Sequence, residues 1–439
     1  MKVLKFGGTS VGKPERMAQV REIISRDNDP KIVVLSAVSG TTNSLVQIGQ
    51  VLFKKDKAEA QKQIQALYDS YIVFVNNLYP SAEYRAKGME IVDKQFAVIK
   101  NMVDNEFTVV EDRLLLAQGE LISTQLFTTY MHQEGDEAEL LWALDFMSID
   151  ENEEPELDKI AERITAVLKD KPKVPFYITQ GFICMNHKNE VDNLKRGGSD
   201  YTASLIGAAI QGPEIQIWTD IDGMHNNDPR IVEQTRAIKN ISFDEAAELA
   251  YFGAKILHPT CIRPAALKSI PVKLLNTMQP EAHGTVISEE TEYGTIKAVA
   301  AKDEITAIKI KSSRMLLAFG FLRQVFEIFE KYKTSIDMIT TSEIAVSLTI
   351  DNSTHLKEIL ADLNLIAEVE VDYNQTIVCI AGQGIAEVKG PGLKIFESLQ
   401  EIPVRMVSYG GSKNNISVLI SSEFKIDALK ALNAGLFGL

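Results

Sequence analysis

The chain is poor in cysteine, with three in 439 residues. Cys184, Cys261 and Cys379 lie far apart and form no CxxC pair, which excludes a disulfide framework and a cysteine-based zinc site. They are expected to be small buried hydrophobes in a reducing cytoplasm. Long apolar runs are also missing: none reaches the roughly 18 residues of a membrane span. The N-terminal Met1–Phe6 runs directly into Gly7-Gly8, so no signal-peptide core is expected. Positive charge is in deficit, with 46 Lys and Arg against 60 Asp and Glu, a net charge of −14. That balance speaks against nucleic acid or an anionic membrane as the main partner. It does not exclude a nucleotide, because a phosphate site needs only a few local cations and backbone N–H groups. No GxxxxGK[ST] occurs, so any phosphate loop is not of the Walker type.

What is present is ordinary globular material, 45% apolar and 24% charged, enough for two to four domains at roughly 100–200 residues each. Strand-like Val3–Phe6 precedes a helical stretch from Pro14 to about Arg26 and a buried-strand run, Ile32–Leu35. Residues 43–132 read as mostly helical. Strand-like runs at 175–179 and 215–218 flank a helical segment, 201–210. Strands alternating with helices imply an α/β sandwich with a mainly parallel central sheet. From Ile296 the elements shorten. Strands are expected at 296–301, 305–310, 335–341, 344–350, 366–372, 376–381, 403–409 and 415–420, and helices near 320–333, 353–363, 389–399 and 424–434. That is the element count of two βαββαβ units. Residues 304–373 supply a complete one. The remainder, 374–439, is one strand short, and 296–302 is the spare, so the first unit is expected to be inserted within the second. Residues 1–290 form the expected catalytic domain.

Five motifs carry chemistry. Lys5-Phe6-Gly7-Gly8-Thr9-Ser10 sits between a strand and a helix, where two glycines let backbone N–H groups approach a phosphate and Lys5 adds a charge; a tight turn after an edge strand is the alternative. Arg196-Gly197-Gly198-Ser199-Asp200 feeds another helix. Arg196 suits a carboxylate, although Ser199 or Asp200 also suits a helix N-cap. Thr219-Asp220, continuing through Asp222-Gly223 to Arg230, follows a strand end where a nucleotide's ribose and base can lie; an acidic surface loop is the alternative. Lys255, in Ala254–Pro259, can reach a phosphate or simply be solvated. His258, before a proline, reads as structural. Glu120, in Gln118–Thr124, can accept hydrogen bonds from an ammonium group or lie on a helix surface.

In order along the chain, KFGGTSV (5–11), SGTTN (39–43), GE (119–120), RGGSDYTA (196–203), the stretch 219–230 and AKILHP (254–259) resemble the aspartate kinases of the amino-acid kinase superfamily. The paired small units resemble the C-terminal ACT domains of that family, and Gly320–Leu322 with Ser335–Glu343 resemble its lysine-responsive, monofunctional branch. The resemblance implies ATP-dependent phosphorylation of the L-aspartate side-chain carboxylate. It implies that Lys5, Gly7, Gly8, Ser10, Thr219, Asp220, His225, Arg230 and Lys255 hold ATP, with Mg²⁺ bound through the phosphates and no protein metal site. Thr42, Glu120, Arg196, Gly198 and Ser199 would hold aspartate, and Lys5 and Asp200 would be catalytic. Two positions depart from the family pattern: His225, where many relatives carry Tyr, and Lys195, where Gly often precedes the arginine. A lysine effector is expected at Met315, Gly320, Phe321, Leu322, Ser335, Asp337, Thr341, Ser342 and Glu343, with threonine as the competing effector. Association as a homodimer or tetramer through the ACT domains is also expected. A fused homoserine dehydrogenase is not expected, because the chain ends at Leu439 directly after the second unit. The competing functions are a kinase for another acceptor, such as N-acetylglutamate, and a non-catalytic amino-acid sensor.

Overall fold

A computed structural model describes residues 1–27, 29–194, 197–253, 257–289, 291–312 and 319–439. The chain divides into two compact units, residues 1–224 with 257–289, and residues 225–256 with 290–439.

The first unit opens β1 (Lys2–Phe6), α1 (Pro14–Ile24), β2 (Lys31–Leu35). The region 43–132 is indeed helical, broken into α2 (Thr41–Phe53), α3 (Lys57–Leu78), α4 (Ala82–Asn101) and α5 (Val109–Gln133). Then come β3 (Ala138–Leu141), α6 (Ala143–Phe146), α7 (Leu157–Asp170), β4 (Phe176–Gln180), a hairpin of β5 (Ile183–Met185) and β6 (Val191–Asn193), α8 (Gly198–Ala209) and β7 (Ile215–Thr219). The chain next gives β8 (Asn240–Ser242) and α9 (Phe243–Tyr251) to the second unit. It returns with α10 (Pro259–Leu267), β9 (Val272–Asn276) and β10 (Thr285–Ser288).

Strands of the first unit run in the order β3-β4-β2-β1-β7-β9-β10. All pairs are parallel except β9–β10. β1 is therefore central, not an edge, and the turn after it opens at the carboxyl end of a buried sheet. Successive side chains of β1 alternate between faces. Leu4 and Phe6 join the large core with Leu45, Phe96, Leu115 and Phe127 from the α2–α5 layer. Val3 and Lys5 point to the opposite face, where a Cβ on Gly207 of α8 would lie 3.9 Å from Val3 and 2.5 Å from Ile215. That small residue lets α8 pack directly on the sheet, and α8 in turn brings Asp200 to Lys5.

The second unit continues with β11 (Ala298–Lys311), α11 (Phe321–Lys331), β12 (Ile339–Thr341), β13 (Ala345–Ile350), α12 (Leu356–Leu363), β14 (Glu368–Ala381), α13 (Pro391–Ser398), β15 (Met406–Tyr409), β16 (Asn415–Ser421) and α14 (Lys425–Phe437). Eight strands were expected, and six are found among the described residues. 296–301 and 305–310 fuse into β11, and 366–372 and 376–381 into β14. The antiparallel sheet runs β12-β13-β11-β14-β16-β15. The β11–β14 register shifts between Lys302 and Ala307, and this irregularity separates two half-sheets with separate cores. One core gathers Ile308, Phe321, Val325, Phe329, Val346 and Ile359, the other Val378, Ile395, Ile416, Val418, Leu429 and Leu432. Residues 298–302 pair with 377–381, the half of β14 that runs beside β16.

Residues 225–256 pack with 290–439. Val232 joins the apolar core of Val378 and Ile416, and polar contacts add to it. Glu245, fully buried, accepts the Gln383 N–H at 2.7 Å, Glu248 accepts from Ser412 and Asn415 at 2.8 and 2.5 Å, and Asn227 donates to the Leu429 carbonyl at 2.9 Å. Nothing in the local pattern of 225–256 signals partners some 140–200 residues away. Among the described residues, no helix is long and apolar enough to cross a membrane.

Candidate active site

Four strands of the first unit end at one cleft of about 480 Å³. Its wall includes Gly8 and Thr9 after β1, Ser36 to Gly40 after β2, Phe182 after β4, Thr219 and Asp220 at the end of β7, and Gly198 and Ser199 at the start of α8. A cleft at the carboxyl ends of parallel strands is where α/β sheets bind ligands.

Lys5 is held in the central ladder opposite Val34 and Ile217. Its Nζ lies 2.7 Å from Asp200 Oδ1, with both side chains largely buried. The backbone then turns sharply. Gly7 donates to the Trp218 carbonyl at 3.3 Å. A Cβ on Gly8 would come within 3.0 Å of the Ala37 carbonyl, and one on Gly12 within 2.7 Å of Ser39. Glycine is thus required for the β1 turn to lie against the β2 loop. Gly8 and Thr9 begin a 3-10 turn, so their N–H groups have no acceptor within it. Ser10 faces inward instead, its hydroxyl 2.8 Å from that of Thr277.

Glu120 is not on a helix surface. α5 is buried along most of its length, and the Glu120 side chain enters the floor of the cleft, 3% exposed. Gly119 allows this: a Cβ there would lie 2.7 Å from Ala37 Cβ. Glu120 Oε1 accepts the Ala37 N–H at 3.2 Å, while Oε2 is buried without a hydrogen-bond partner. Burial pushes the Glu120 carboxyl up to about 8, against the opposing pull of the Ala37 N–H.

Ser199 and Asp200 are not helix caps. Gly197 is the N-cap of α8, with φ +67° and no side-chain cap. Ser199 instead meets Ser36, Oγ to Oγ at 3.0 Å. Gly181 makes room for it, because a Cβ there would lie 2.4 Å from Ser199. Thr42 lines the cleft beside Gly40. Thr219 donates to Asp220 Oδ1 at 3.2 Å.

Lys5, Gly8, Thr42, Glu120, Gly198, Ser199, Asp200, Thr219 and Asp220 are therefore brought together. Arg196, Lys255 and Met315 lie outside the described residues. His225 and Arg230 belong to the second unit. There His225 Nδ1 is 2.8 Å from Thr235 Oγ1, and exposed Arg230 makes a two-pronged contact with Asp228 at 2.9 and 2.7 Å. Sequence reasoning passed over Ser36, Ala37, Gly181 and Phe182. The signal for them was position, immediately after the buried strands 31–35 and 176–180. Among the described residues, no group of three or more His, Cys, Asp or Glu is placed to hold a metal ion. The three cysteines are buried.

Of the expected effector residues, Gly320 has φ +87° and caps α11, Phe321 is in the core, and Leu322 is exposed. Ser335, Thr341, Ser342 and Glu343 are exposed. The Asp337 carboxylate is buried. Its Oδ1 takes Tyr251 Oη at 2.6 Å and Lys302 Nζ at 3.0 Å, and its Oδ2 has no hydrogen-bond partner. Burial pulls the Lys302 ammonium down, but its ion pairs with Asp351 and Asp337 outweigh this and raise it.

The model of the amino acid kinase family matches residues 1–276, and a model of the ACT domain matches residues 378–436. Lysine-sensitive aspartokinase 3 of Escherichia coli is 32% identical over 450 residues, covering 99% of both chains. Aspartokinase 3, chloroplastic, of Arabidopsis thaliana is 33% identical, covering 99% of this chain and 81% of its own. Among solved structures, E. coli aspartokinase III in complex with aspartate and ADP superposes with a TM-score of 0.84 at 31% identity, over the full length of both chains. The same enzyme in complex with lysine and aspartate gives 0.81. The ordered motifs, the cleft they line and these full-length likenesses agree: the chain belongs to the amino acid kinase family, in its aspartokinase branch.

Proposed function

We propose that this protein is an ATP-dependent aspartate kinase, converting L-aspartate to 4-phospho-L-aspartate, and that lysine inhibits it through the ACT units. The Lys5–Asp200 pair, 2.7 Å apart where the ends of β1, β2 and β7 converge, carries the catalytic reading. E. coli aspartokinase III, 31% identical, has been crystallised with aspartate and ADP and with lysine and aspartate.

The acceptor is a carboxylate, already ionised near pH 7 because its ordinary pKa is about 3.9. One of its oxygens attacks the γ-phosphorus, the bond to the ADP oxygen breaks, and no proton moves. The difficulty is bringing two anions together, so catalysis rests on positioning and on cations near the transferred group. Lys5 supplies the fixed charge there. Asp200 aims the Lys5 ammonium, and the ionised acceptor carries no proton for any base to remove. Gly7 and Gly8 bring the backbone against the phosphates, and Thr219 and Asp220, at the end of β7 in the same cleft, complete the nucleotide contacts of this unit. The Gly8 approach to Ala37 fits a phosphate cradle of this kind. Mg²⁺, when bound with the nucleotide, would add charge neutralisation.

Glu120, with one buried oxygen unpartnered, takes the α-ammonium of the acceptor; Arg196 takes its α-carboxylate; Thr42, Gly198 and Ser199 close around it. An acetylated amino acid has no ammonium for Glu120, which favours aspartate over N-acetylglutamate. On the regulatory side, the half-sheet pairing supports an ACT unit 304–373 inserted within a second, 296–302 plus 374–439. Asp337 Oδ2 is the natural partner for an effector ammonium, and the remaining effector contacts fall to Gly320, Phe321, Leu322, Ser335, Thr341, Ser342 and Glu343. Exposed β12, at the end of its sheet, supports a homodimer or tetramer formed through these units. Substituting Lys5→Ala and assaying ADP release tests the catalytic reading: near-normal turnover would refute it.

A further inference from the structure

The acceptor pocket is assembled from two parts that are distant along the chain. Glu120 comes from the middle of α5, and Gly198–Asp200 form the first turn of α8. The β5–β6 hairpin leads into that turn. Leu194 N–H donates to the Phe182 carbonyl at 2.7 Å and closes the hairpin's neck. Phe182, at φ +70°, in turn supports α8. Its N–H donates to Thr202 Oγ1 at 2.9 Å, and its ring lies so near Gly198 that a Cβ there would approach to 2.8 Å.

The far side of the hairpin is tied to α5 by one ion pair. Arg113 Nη1 lies 2.5 Å from Asp192 Oδ2, and the Asp192 side chain is 4% exposed. Asp192 sits on β6 opposite Cys184, and its other oxygen takes the Asn193 N–H at 2.8 Å. Arg113 precedes Glu120 by seven residues, about two helical turns, and so projects from nearly the same side of α5. A second guanidinium nitrogen reaches Glu153 at 3.5 Å. Neither Arg113 nor Asp192 lines the cleft.

We propose that Arg113 is a positioning residue for the phosphoryl acceptor: by holding Asp192 it sets the spacing between Glu120 and the first turn of α8. The inference rests on the acceptor site proposed above. A merely structural ion pair would lower thermal stability and leave substrate affinity alone. A positioning pair moves the KM for the acceptor and spares that for the nucleotide.

The test uses the full-length protein, with melting temperature and steady-state kinetics measured on Arg113→Met, Arg113→Lys and the double variant Arg113→Met/Asp192→Asn. In Arg113→Met the KM for aspartate should rise about tenfold, with kcat and the KM for ATP within about threefold, the scale expected of a sub-ångström displacement of a substrate contact. Arg113→Lys should recover part of this. The double variant leaves no unpaired buried charge, so its melting temperature should recover while its KM for aspartate stays high. An unchanged KM in folded Arg113→Met, or a KM that recovers together with the melting temperature in the double variant, would overturn the proposal. If Arg113→Met fails to fold, the other two variants decide. Absence of aspartate turnover in the wild type would refute the acceptor site itself, and is read first in the same assay.

Discussion

Binding of aspartate should release a proton, and Glu120 should be its source. In the free protein its carboxyl sits at about 8 because burial disfavours the charge. At pH 7 such a group is about nine-tenths protonated. An α-ammonium arriving at the unpartnered Oε2 favours the carboxylate, so the proton leaves. Calorimetric titration with aspartate at pH 7, repeated in buffers of different ionisation enthalpy, should report about 0.9 protons released per site. The apparent affinity for aspartate should strengthen as pH rises from 6 to 8 and then level off. Stability of the ligand-free protein has the opposite sign. Between the ordinary 4.5 and about 8, the unfolded chain has lost this proton and the folded chain keeps it. The contribution is full below 4.5 and lost as pH rises to 8, at about 1.4 kcal/mol per pH unit, on the order of 5 kcal/mol in all. Glu120→Gln should abolish proton release and this pH slope. It should also lower kcat/KM for aspartate about a hundredfold, the scale of about 3 kcal/mol for a hydrogen bond to a charged group. Proton release unchanged in Glu120→Gln, or none in the wild type, would refute this assignment.

Lys5→Ala should lower kcat by about 10²-fold or more, the loss expected for one preorganised donor at a developing charge, with the fold intact by circular dichroism. Gly181→Ala places a methyl group 2.4 Å from Ser199, so it should raise the KM for aspartate at least severalfold while leaving ATP binding, read by nucleotide titration, nearly unchanged. Asp337→Ala should remove inhibition by lysine, since it deletes the carboxylate between Lys302 and Tyr251; sensitivity equal to wild type would move the effector elsewhere. Tyr251→Phe, which keeps the ring over Lys302 and deletes only the hydroxyl bond, should shift the lysine concentration for half-inhibition without altering uninhibited turnover.

Much of this was legible in the sequence where local pattern and chemistry coincide. Gly7-Gly8 after an apolar strand, and Gly197-Gly198 before a helix, announce close backbone approach, and both meet in one cleft. Glu120 was ambiguous because one residue type serves both a solvated helix face and a buried polar contact. Only the burial of α5 around Glu120, continuous from Ala117 to Thr124, decides between them. The eight short strands expected in the last third were real stretches, but the breaks at 302–305 and 372–375 turned out to be irregularities within continuous strands. The contacts of Glu245, Glu248 and Asn227 were not legible, because their partners come near only after the chain has folded back. Gly181 and Phe182 carry no motif of their own, and their importance follows from what lies across the sheet.

The central claim is most directly tested by ADP release from the purified full-length protein, measured with ATP and a panel of acceptors, with lysine and threonine titrated in. The account predicts turnover that requires L-aspartate, is absent with N-acetylglutamate, and is suppressed by lysine. ATP-dependent turnover on another acceptor with none on aspartate, or no turnover on any acceptor, would contradict it.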